Sequence, residues 1–408
     1  TYAQKGVGSS ITVTPSVNYG LGGTNAGNYS VAQPAITGTI SKRSLSVTFS
    51  GTNRPYDATT IATVTASSDT RVTGDDLGTI SASSANFSQA GVGTGLTVSI
   101  SGISGSGPDA GNYTMPTNAT TTANITARQV TVGGTLTVPS TRTYDRTTAA
   151  TITDATTLTL VNVVAADSSN LSLSSPVAAY DTKAAGTGKT VSLTSASLSG
   201  SAAPNYSLSL TGAPTATAAI TTKTLTVTFT TTDRAYNGLA TATATYSDDR
   251  ISGDSFTVSG TATFSNKNIG VAKTVTANSI SLSGTDAANY SPNTTATTTA
   301  SITTRSLTVT LSGGGKTYDG STTAPVTYVD NRVAGDTLTV SGTATYTTKT
   351  VGTGKTISAT GISLSGTDSG NYTVNTTAST TATISARTLT VGITTTNKAY
   401  DRSEEHTS

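Results

Sequence analysis

The residues of this sequence best suited to chemistry are aspartates in a recurring motif, Asp-x-Arg-[Val/Ile]-x-Gly-Asp. An arginine beside a carboxylate forms a charge-assisted hydrogen-bonded pair, whereas clustered loop carboxylates can bind Ca²⁺. The arginine favours the first interpretation, a lock that fixes a loop. The three copies contain Asp69, Arg71 and Asp75, then Asp248, Arg250 and Asp254, and finally Asp330, Arg332 and Asp336.

Calcium binding is the alternative interpretation of these carboxylates and of the aspartates in a later turn. Calcium needs roughly six to eight oxygen ligands, and a neighbouring arginine opposes a cation. Aspartates in turns are typical of loops in which the side chain bonds its own backbone. The candidate calcium ligands are Asp75, Asp254, Asp336, Asp286 and Asp368. No other cofactor is expected.

Several catalytic residue types are missing from most of the chain. Outside residues 402–408, the sequence has no histidine, glutamate or cysteine. This excludes Ser-His-Asp and Cys-His nucleophiles, zinc sites built from His or Cys, and glutamate acid/base pairs. We therefore expect that the protein is not an enzyme.

Tyrosines recur at two fixed positions. A tyrosine in constant register is typical of a core or corner residue whose hydroxyl group bonds the backbone, and stacking on sugars is the alternative. The first set lies in a polar turn and comprises Tyr56, Tyr144, Tyr236, Tyr318 and Tyr400. The second set belongs to an Asn-Tyr pair and comprises Tyr29, Tyr113, Tyr206, Tyr290 and Tyr372.

These landmarks repeat about every 82 residues, which indicates a tandem array rather than one large domain. Each unit opens with a basic residue and an alternating segment, such as Leu307, Val309 and Leu311 on one face. Alternation with period two predicts a half-buried strand. Short strands separated by turn residues predict an all-β fold of tandem Ig-like β-sandwich repeats that form an elongated rod.

The opening basic residues set the predicted boundaries. We expect a partial repeat at 1–42, repeat 1 at 43–127, a longer and divergent repeat 2 at 128–222, repeat 3 at 223–304, repeat 4 at 305–386, and the start of a truncated repeat at 387–401. Residues 402–408 match no copy and are interpreted as translated sequencing-adapter sequence rather than protein. Both chain ends are therefore expected to be cuts in a longer protein.

Composition limits the function classes further. Of the 408 residues, 34% are apolar and 11% are charged, the net charge is +2, and there is no cysteine. The near-neutral charge gives no basic stripe for nucleic acid. No apolar stretch reaches the roughly 18–20 residues of a membrane span.

Motifs in fixed order resemble the YDG-type repeats of large bacterial surface adhesins, including filamentous-haemagglutinin-like proteins. In repeat 4 they are Tyr318-Asp319-Gly320, Val333-Ala334-Gly335-Asp336, Val351-Gly352-Thr353-Gly354-Lys355-Thr356 and the segment from Leu364 to Tyr372. The resemblance implies a secreted β-sandwich module at the bacterial cell surface, and it supplies no catalytic residues.

The leading hypothesis is a structural stalk that displays a distal binding domain. An unknown glycan or host-surface protein would then bind through the distal domain. The alternative is that the repeats themselves bind a glycan or host protein, with avidity from their copy number.

Overall fold

The computed structural model describes residues 1–397 and 399. Tyr400 and residues 402–408, on which two of the sequence interpretations fall, lie outside the described residues. The described chain is all-β, as predicted, and contains only short 3-10 turns besides its strands. No helix in this part of the chain is long and apolar enough to cross a membrane.

The strands occur in the same order in successive repeats. The partial repeat contains β1 (Gly8–Val13) and β2 (Ile36–Ile40). Repeat 1 contains β3 (Arg43–Ser44), β4 (Val47–Gly51), β5 (Arg54–Pro55), β6 (Val64–Asp69), β7 (Ile80–Phe87), β8 (Gly93–Gly105), β9 (Tyr113–Thr114) and β10 (Asn118–Thr126). Repeat 2 contains β11 (Arg128–Gly134), β12 (Thr141–Thr143), β13 (Ala149–Ala150), β14 (Leu158–Val161), β15 (Ser172–Tyr180), β16 (Gly186–Ser199), β17 (Tyr206–Ser209) and β18 (Ala216–Thr221).

Repeats 3 and 4 follow the same plan. Repeat 3 contains β19 (Lys223–Leu225), β20 (Val227–Thr230), β21 (Arg234–Ala235), β22 (Thr241–Ala242), β23 (Thr245–Asp248), β24 (Thr257–Phe264), β25 (Gly270–Ser283), β26 (Tyr290–Pro292) and β27 (Ala296–Thr303). Repeat 4 contains β28 (Arg305–Leu307), β29 (Val309–Gly313), β30 (Lys316–Thr317), β31 (Val326–Asp330), β32 (Thr339–Tyr346), β33 (Gly352–Ser365), β34 (Tyr372–Val374) and β35 (Thr377–Ser385). The 3-10 turns are Ala26–Asn28, Ala110–Asn112, Ala165–Asp167, Ala203–Asn205, Ala287–Asn289 and Ser369–Asn371.

Repeats 1, 3 and 4 combine one larger sheet with shorter strand pairs, whereas repeat 2 combines a five-stranded sheet with the three-stranded sheet β14-β11-β17. In repeat 4 the larger sheet has the order β30-β35-β33-β32, and β33 runs antiparallel to both of its neighbours. The opening strand of repeat 4 consists of two parts with different partners: β28 runs parallel to β34, and β29 runs antiparallel to β31. Repeat 3 has the same pairs and adds β22 to the edge of the larger sheet.

The opening strand of repeat 4 was predicted as continuous, but it breaks between Leu307 and Val309. The side chain of Asn375 takes over both backbone groups of Val309, accepting from its N–H at 2.7 Å and donating to its carbonyl at 3.0 Å. Asn293 makes the same two bonds to Val227 in repeat 3. The amide side chain therefore lets one strand serve two sheet partners.

The chain forms two compact units, Thr1–Thr221 and Thr222–Ser408. In the first unit, one core cluster contains residues of both full repeats, for example Phe49 and Ile100 from repeat 1 with Leu171 from repeat 2. In the second unit, Ile357, a residue of β33, is completely buried. The alternation that predicted the strands is therefore the pattern that fills the cores.

Candidate functional site at the repeat junctions

A buried polar cluster of the second unit lies where repeat 3 meets repeat 4. Asp336, of repeat 4, accepts a hydrogen bond from the hydroxyl group of Tyr236, of repeat 3, at 3.0 Å. Its other oxygen accepts from Tyr372 of its own repeat at 2.6 Å. The rings of Tyr236 and Tyr372 meet edge to face, with centroids 5.5 Å apart. One carboxylate thus joins the two repeated tyrosine positions of adjacent repeats.

Lys267 adds the balancing charge. Its ammonium group, on repeat 3, lies 2.9 Å from the carboxylate of Asp336 and 3.0 Å from that of Asp368, both on repeat 4. The ammonium also lies over the ring of Tyr236, 5.9 Å from its centroid. Because a lysine already bridges the two carboxylates, the cluster has its own cation.

The electrostatics favour a lasting ion pair. Burial raises the pKa of Asp336, but hydrogen bonds from Tyr372, Lys267 and Tyr236 outweigh it and leave the pKa below its usual value. Hydrogen bonds to Asp336 and Asp368 raise the pKa of Lys267. An amide bond between the side chains of Lys267 and Asp336 would form only from a neutral amine and a neutral carboxylic acid. The junction instead stabilises the charged ammonium and carboxylate groups, which favours an ion pair over an amide crosslink.

An asparagine to backbone hydrogen bond recurs at three junctions within the two units. In each case the side-chain oxygen of the Asn-Tyr asparagine accepts from a backbone N–H of the preceding repeat. The pairs are Val7 with Asn112 at 2.9 Å, Val92 with Asn205 at 3.0 Å, and Ile269 with Asn371 at 3.0 Å. The asparagine is positioned at the end of a 3-10 turn in all three repeats.

The junction between repeats 1 and 2 has the same tyrosines without the lysine. The rings of Tyr56 and Tyr206 meet edge to face at 5.4 Å. Tyr206 donates to Asp167 at 2.7 Å. Burial, and then the carboxylate of Asp167, raise the pKa of Tyr206 to about 12. Ala90 stands where repeat 3 has Lys267, and apolar residues of repeats 1 and 2 share one core cluster.

The opening arginine of repeat 2 also contacts repeat 1. Arg128 donates to the carbonyl of Tyr56 at 3.5 Å and to the carbonyl of Asn162, in its own repeat, at 2.9 Å. The basic residue that marks a boundary in the sequence therefore bonds groups on both sides of that boundary.

A glycine permits close approach at the junction between repeats 3 and 4. Gly238 has φ +82°, and a Cβ atom there would lie 2.7 Å from Cγ1 of Val333 in the next repeat. Gly320, the same position in repeat 4, has φ +80° with no atom within 4 Å of such a Cβ. Repeat 1 places Ala58 in this left-handed conformation, at φ +65°.

The two aspartates of the recurring Asp-x-Arg-[Val/Ile]-x-Gly-Asp motif have different hydrogen-bond partners. The first aspartate binds the arginine through two side-chain hydrogen bonds, for example Asp330 to Arg332 at 2.8 and 2.5 Å. This arginine lowers the pKa of Asp330. Asp69 with Arg71 and Asp248 with Arg250 form the same pair. The second aspartate accepts from the Asn-Tyr tyrosine instead: Asp75 from Tyr113, Asp254 from Tyr290, and Asp336 from Tyr372.

Two of the candidate calcium ligands, the turn aspartates Asp286 and Asp368, connect loops of their own repeats. Asp286 accepts from the N–H of Ser255, and Asp368 from the N–H of Thr337, both at 2.9 Å. In the described part of the chain, no group of three or more His, Cys, Asp or Glu residues is arranged to hold a metal ion.

The tyrosine positions are mostly inside the protein. In the four full repeats, the hydroxyl group of the Asn-Tyr tyrosine also accepts a backbone N–H, as Tyr372 does from Val333 at 2.8 Å. Tyr29, in the partial repeat, is 74% exposed. Tyr318 differs from its counterparts, because 38% of its surface is exposed. The buried members are Tyr56, Tyr113, Tyr144, Tyr206, Tyr236, Tyr290 and Tyr372.

Two junction residues were missed by the sequence reasoning: Lys267 and the asparagine of the Asn-Tyr pair. The lysine does carry a signal, because Lys183 and Lys349 stand at the same position of repeats 2 and 4. In the sequence, the asparagine marked only the end of each unit. Its role as acceptor of a backbone N–H from the preceding repeat is visible only in the structure.

The fold and these contacts define a protein of tandem β domains that dock through a shared tyrosine, aspartate and asparagine surface. Four segments match the family described as YDG domain, at residues 41–123, 126–217, 221–300 and 303–382. The chain therefore belongs to the YDG domain family, with the domain repeated four times. A search of curated proteins finds no match.

Proposed function

We propose that this chain is part of the stalk of a secreted bacterial surface adhesin, and that its repeats are Ig-like β-sandwiches in an elongated rod. The stalk displays a distal binding domain that contacts a glycan or host-surface protein. The observation that carries the proposal is the contact between repeats 3 and 4. These two repeats meet through a buried carboxylate, paired tyrosines and an asparagine to backbone bond.

A stalk needs contacts that keep adjacent domains aligned under load. The junction of repeats 3 and 4 supplies several bonds spread over different loops, from Tyr236, Lys267 and Ile269. Bonds that are separated in space restrict bending and rotation more than a single contact does. The partly buried hydrogen bonds are also less screened by salt than surface ion pairs.

The burial of the tyrosines favours the stalk over repeats that bind sugars directly. Multivalent binding requires an exposed patch in every copy. Tyr236 is 1% exposed and Tyr56 is 5% exposed, so their rings serve the junctions instead of an external ligand.

Force spectroscopy on the full chain tests the proposal. We expect successive unfolding events, each releasing about 82 residues of chain, or roughly 270–300 Å of extended length before the folded span is subtracted. A single cooperative event would contradict the stalk of separate modules. Saturable binding of the full chain on a glycan array would instead support repeats that bind directly.

A further inference from the structure

Repeat 4 presents hydrogen-bond donors from Tyr318, Lys349 and the backbone of Val351, on the side away from repeat 3. We call these three residues the end surface. Tyr318 is 38% exposed and Val351 is 52% exposed, and Lys349 is also exposed. A cavity of about 820 Å³ lies between Tyr318, Val351 and residues 386–390. The end surface is therefore accessible, and it is concave at Tyr318 and Val351.

The end surface repeats the residues by which repeat 3 holds repeat 4. Tyr318 corresponds to Tyr236, Lys349 to Lys267 and Val351 to Ile269. Tyr236 is only 1% exposed, because the next repeat covers it. The surface of repeat 3 that contacts repeat 4 and the end surface of repeat 4 therefore offer the same kinds of hydrogen-bond donor. They differ because only the first is covered by another repeat.

Each donor of the covered surface has a defined acceptor in repeat 4. A carboxylate pair accepts from the hydroxyl and ammonium groups, and a carboxamide oxygen accepts from the backbone N–H of Ile269. Within residues 1–397 and 399, no protein group accepts from the hydroxyl of Tyr318, the ammonium of Lys349 or the N–H of Val351. The end surface thus offers three donors, one of them positively charged, to an acidic partner.

Apolar residues beside the end surface point to the size of that partner. Leu389, Val391 and Ile393 are 84%, 82% and 85% exposed. They correspond to Leu307, Val309 and Leu311, which are buried in repeat 4. Burying them needs a domain core, which a small ligand does not provide.

We propose that the end surface of repeat 4 is a docking site for one further YDG repeat. The partner presents the carboxylate pair, tyrosine and asparagine that repeat 4 presents to repeat 3, and residues 387–393 supply its opening strand. The inference rests on the junction geometry and holds whether the array acts as a stalk or binds ligands itself.

Tyrosine nitration followed by peptide mass spectrometry tests the proposal in two chains. One is the natural chain. The other has residues 1–386 followed directly by a second copy of residues 305–386. We expect Tyr318 to be nitrated in the natural chain, and in the extended chain to become as unreactive as Tyr236. Tyr19 and Tyr29, which are 60% and 74% exposed, should react equally in both chains.

A substitution then tests the recognition chemistry. Lys349→Ala changes an exposed side chain, so we expect the natural chain to fold unchanged. In the extended chain it should return part of the reactivity of Tyr318. An extension that leaves Tyr318 fully reactive, whether the added copy is folded or unfolded, overturns the proposal. Full protection that persists in Lys349→Ala overturns the role assigned to the ammonium group.

Discussion

Replacing Tyr236 with Phe removes one hydroxyl group from the junction of repeats 3 and 4. That group is buried and donates to the carboxylate of Asp336 at 3.0 Å, whereas the ring contact with Tyr372 remains in the variant. A hydrogen bond to a charged group contributes about 1.5–3 kcal/mol. Because Asp336 keeps two other donors, we expect the free energy that holds the junction closed to fall by about 1.5 kcal/mol, the lower end of this range.

Hydrogen–deuterium exchange on the full chain measures this change directly. The N–H of Ile269 donates to Asn371 across the junction, so it exchanges when the junction opens. A loss of about 1.5 kcal/mol corresponds to roughly tenfold faster exchange. Peptides that contain Ile269 should therefore take up deuterium about ten times faster in Tyr236→Phe than in the natural chain.

Tyr318→Phe is the matched control. It makes the same chemical change at the same position of repeat 4, but on a side chain that is 38% exposed. We expect exchange at Ile269 to be unaltered in this variant. The reasoning is refuted if Tyr236→Phe leaves the exchange of Ile269 at its natural rate, or if Tyr318→Phe accelerates it equally.

Three further predictions concern pH, glycine and calcium. The pKa of Asp336 is lowered and that of Tyr372 is raised to about 12. Thermal unfolding should therefore show that stability falls as the pH drops below about 4, where the carboxyl group takes up a proton in the unfolded chain. Stability should fall again as the pH rises from about 10 to about 12, because the tyrosine loses its proton in the unfolded chain before it does so in the folded protein. In chemical unfolding, Gly320→Ala should cost about 1–2 kcal/mol for its left-handed backbone, and Gly238→Ala about 1–3 kcal/mol more because its Cβ meets Val333. Added Ca²⁺ should leave the unfolding temperature unchanged, because a lysine already neutralises Asp336.

Each of these has a clear contrary result. Constant stability from pH 10 to 12 would show that the tyrosines ionise equally in the folded and unfolded states. Equal losses for the two glycine variants would show that Val333 moves aside freely. A rise in unfolding temperature with Ca²⁺ that chelation reverses would establish a cation site among the aspartates.

Local pattern was enough to predict the all-β fold, because period-two alternation such as Leu307, Val309 and Leu311 directly marks a buried face. It did not predict the break in that strand, which depends on Asn375, 66 residues away from Val309. A side chain that replaces backbone pairing leaves no trace in the alternation of the strand itself.

The contacts of the junction between repeats 3 and 4 could not be predicted from the sequence either, because their partners are also far apart in the chain. Lys267 and Tyr236 reach Asp336 across 69 and 100 residues. The motif suggested an arginine–carboxylate lock, which Asp330 forms with Arg332, but Asp336 pairs with tyrosines and lysine. Only a comparison of one repeat with the surface of its neighbour reveals these partners. The family match confirms the repeated YDG domain, and the adhesin stalk stays a prediction.

The asparagine to backbone bond does not depend on the side chain of the residue that donates to it. Its acceptor is one side chain, but its donor is a peptide N–H, which every residue except proline possesses. Val7, Val92 and Ile269 fill the donor position without altering the bond. Duplication or deletion of a whole repeat by unequal recombination therefore preserves this contact at the new boundary. An array built in this way can change its length in a single genetic event and keep this one contact between its repeats.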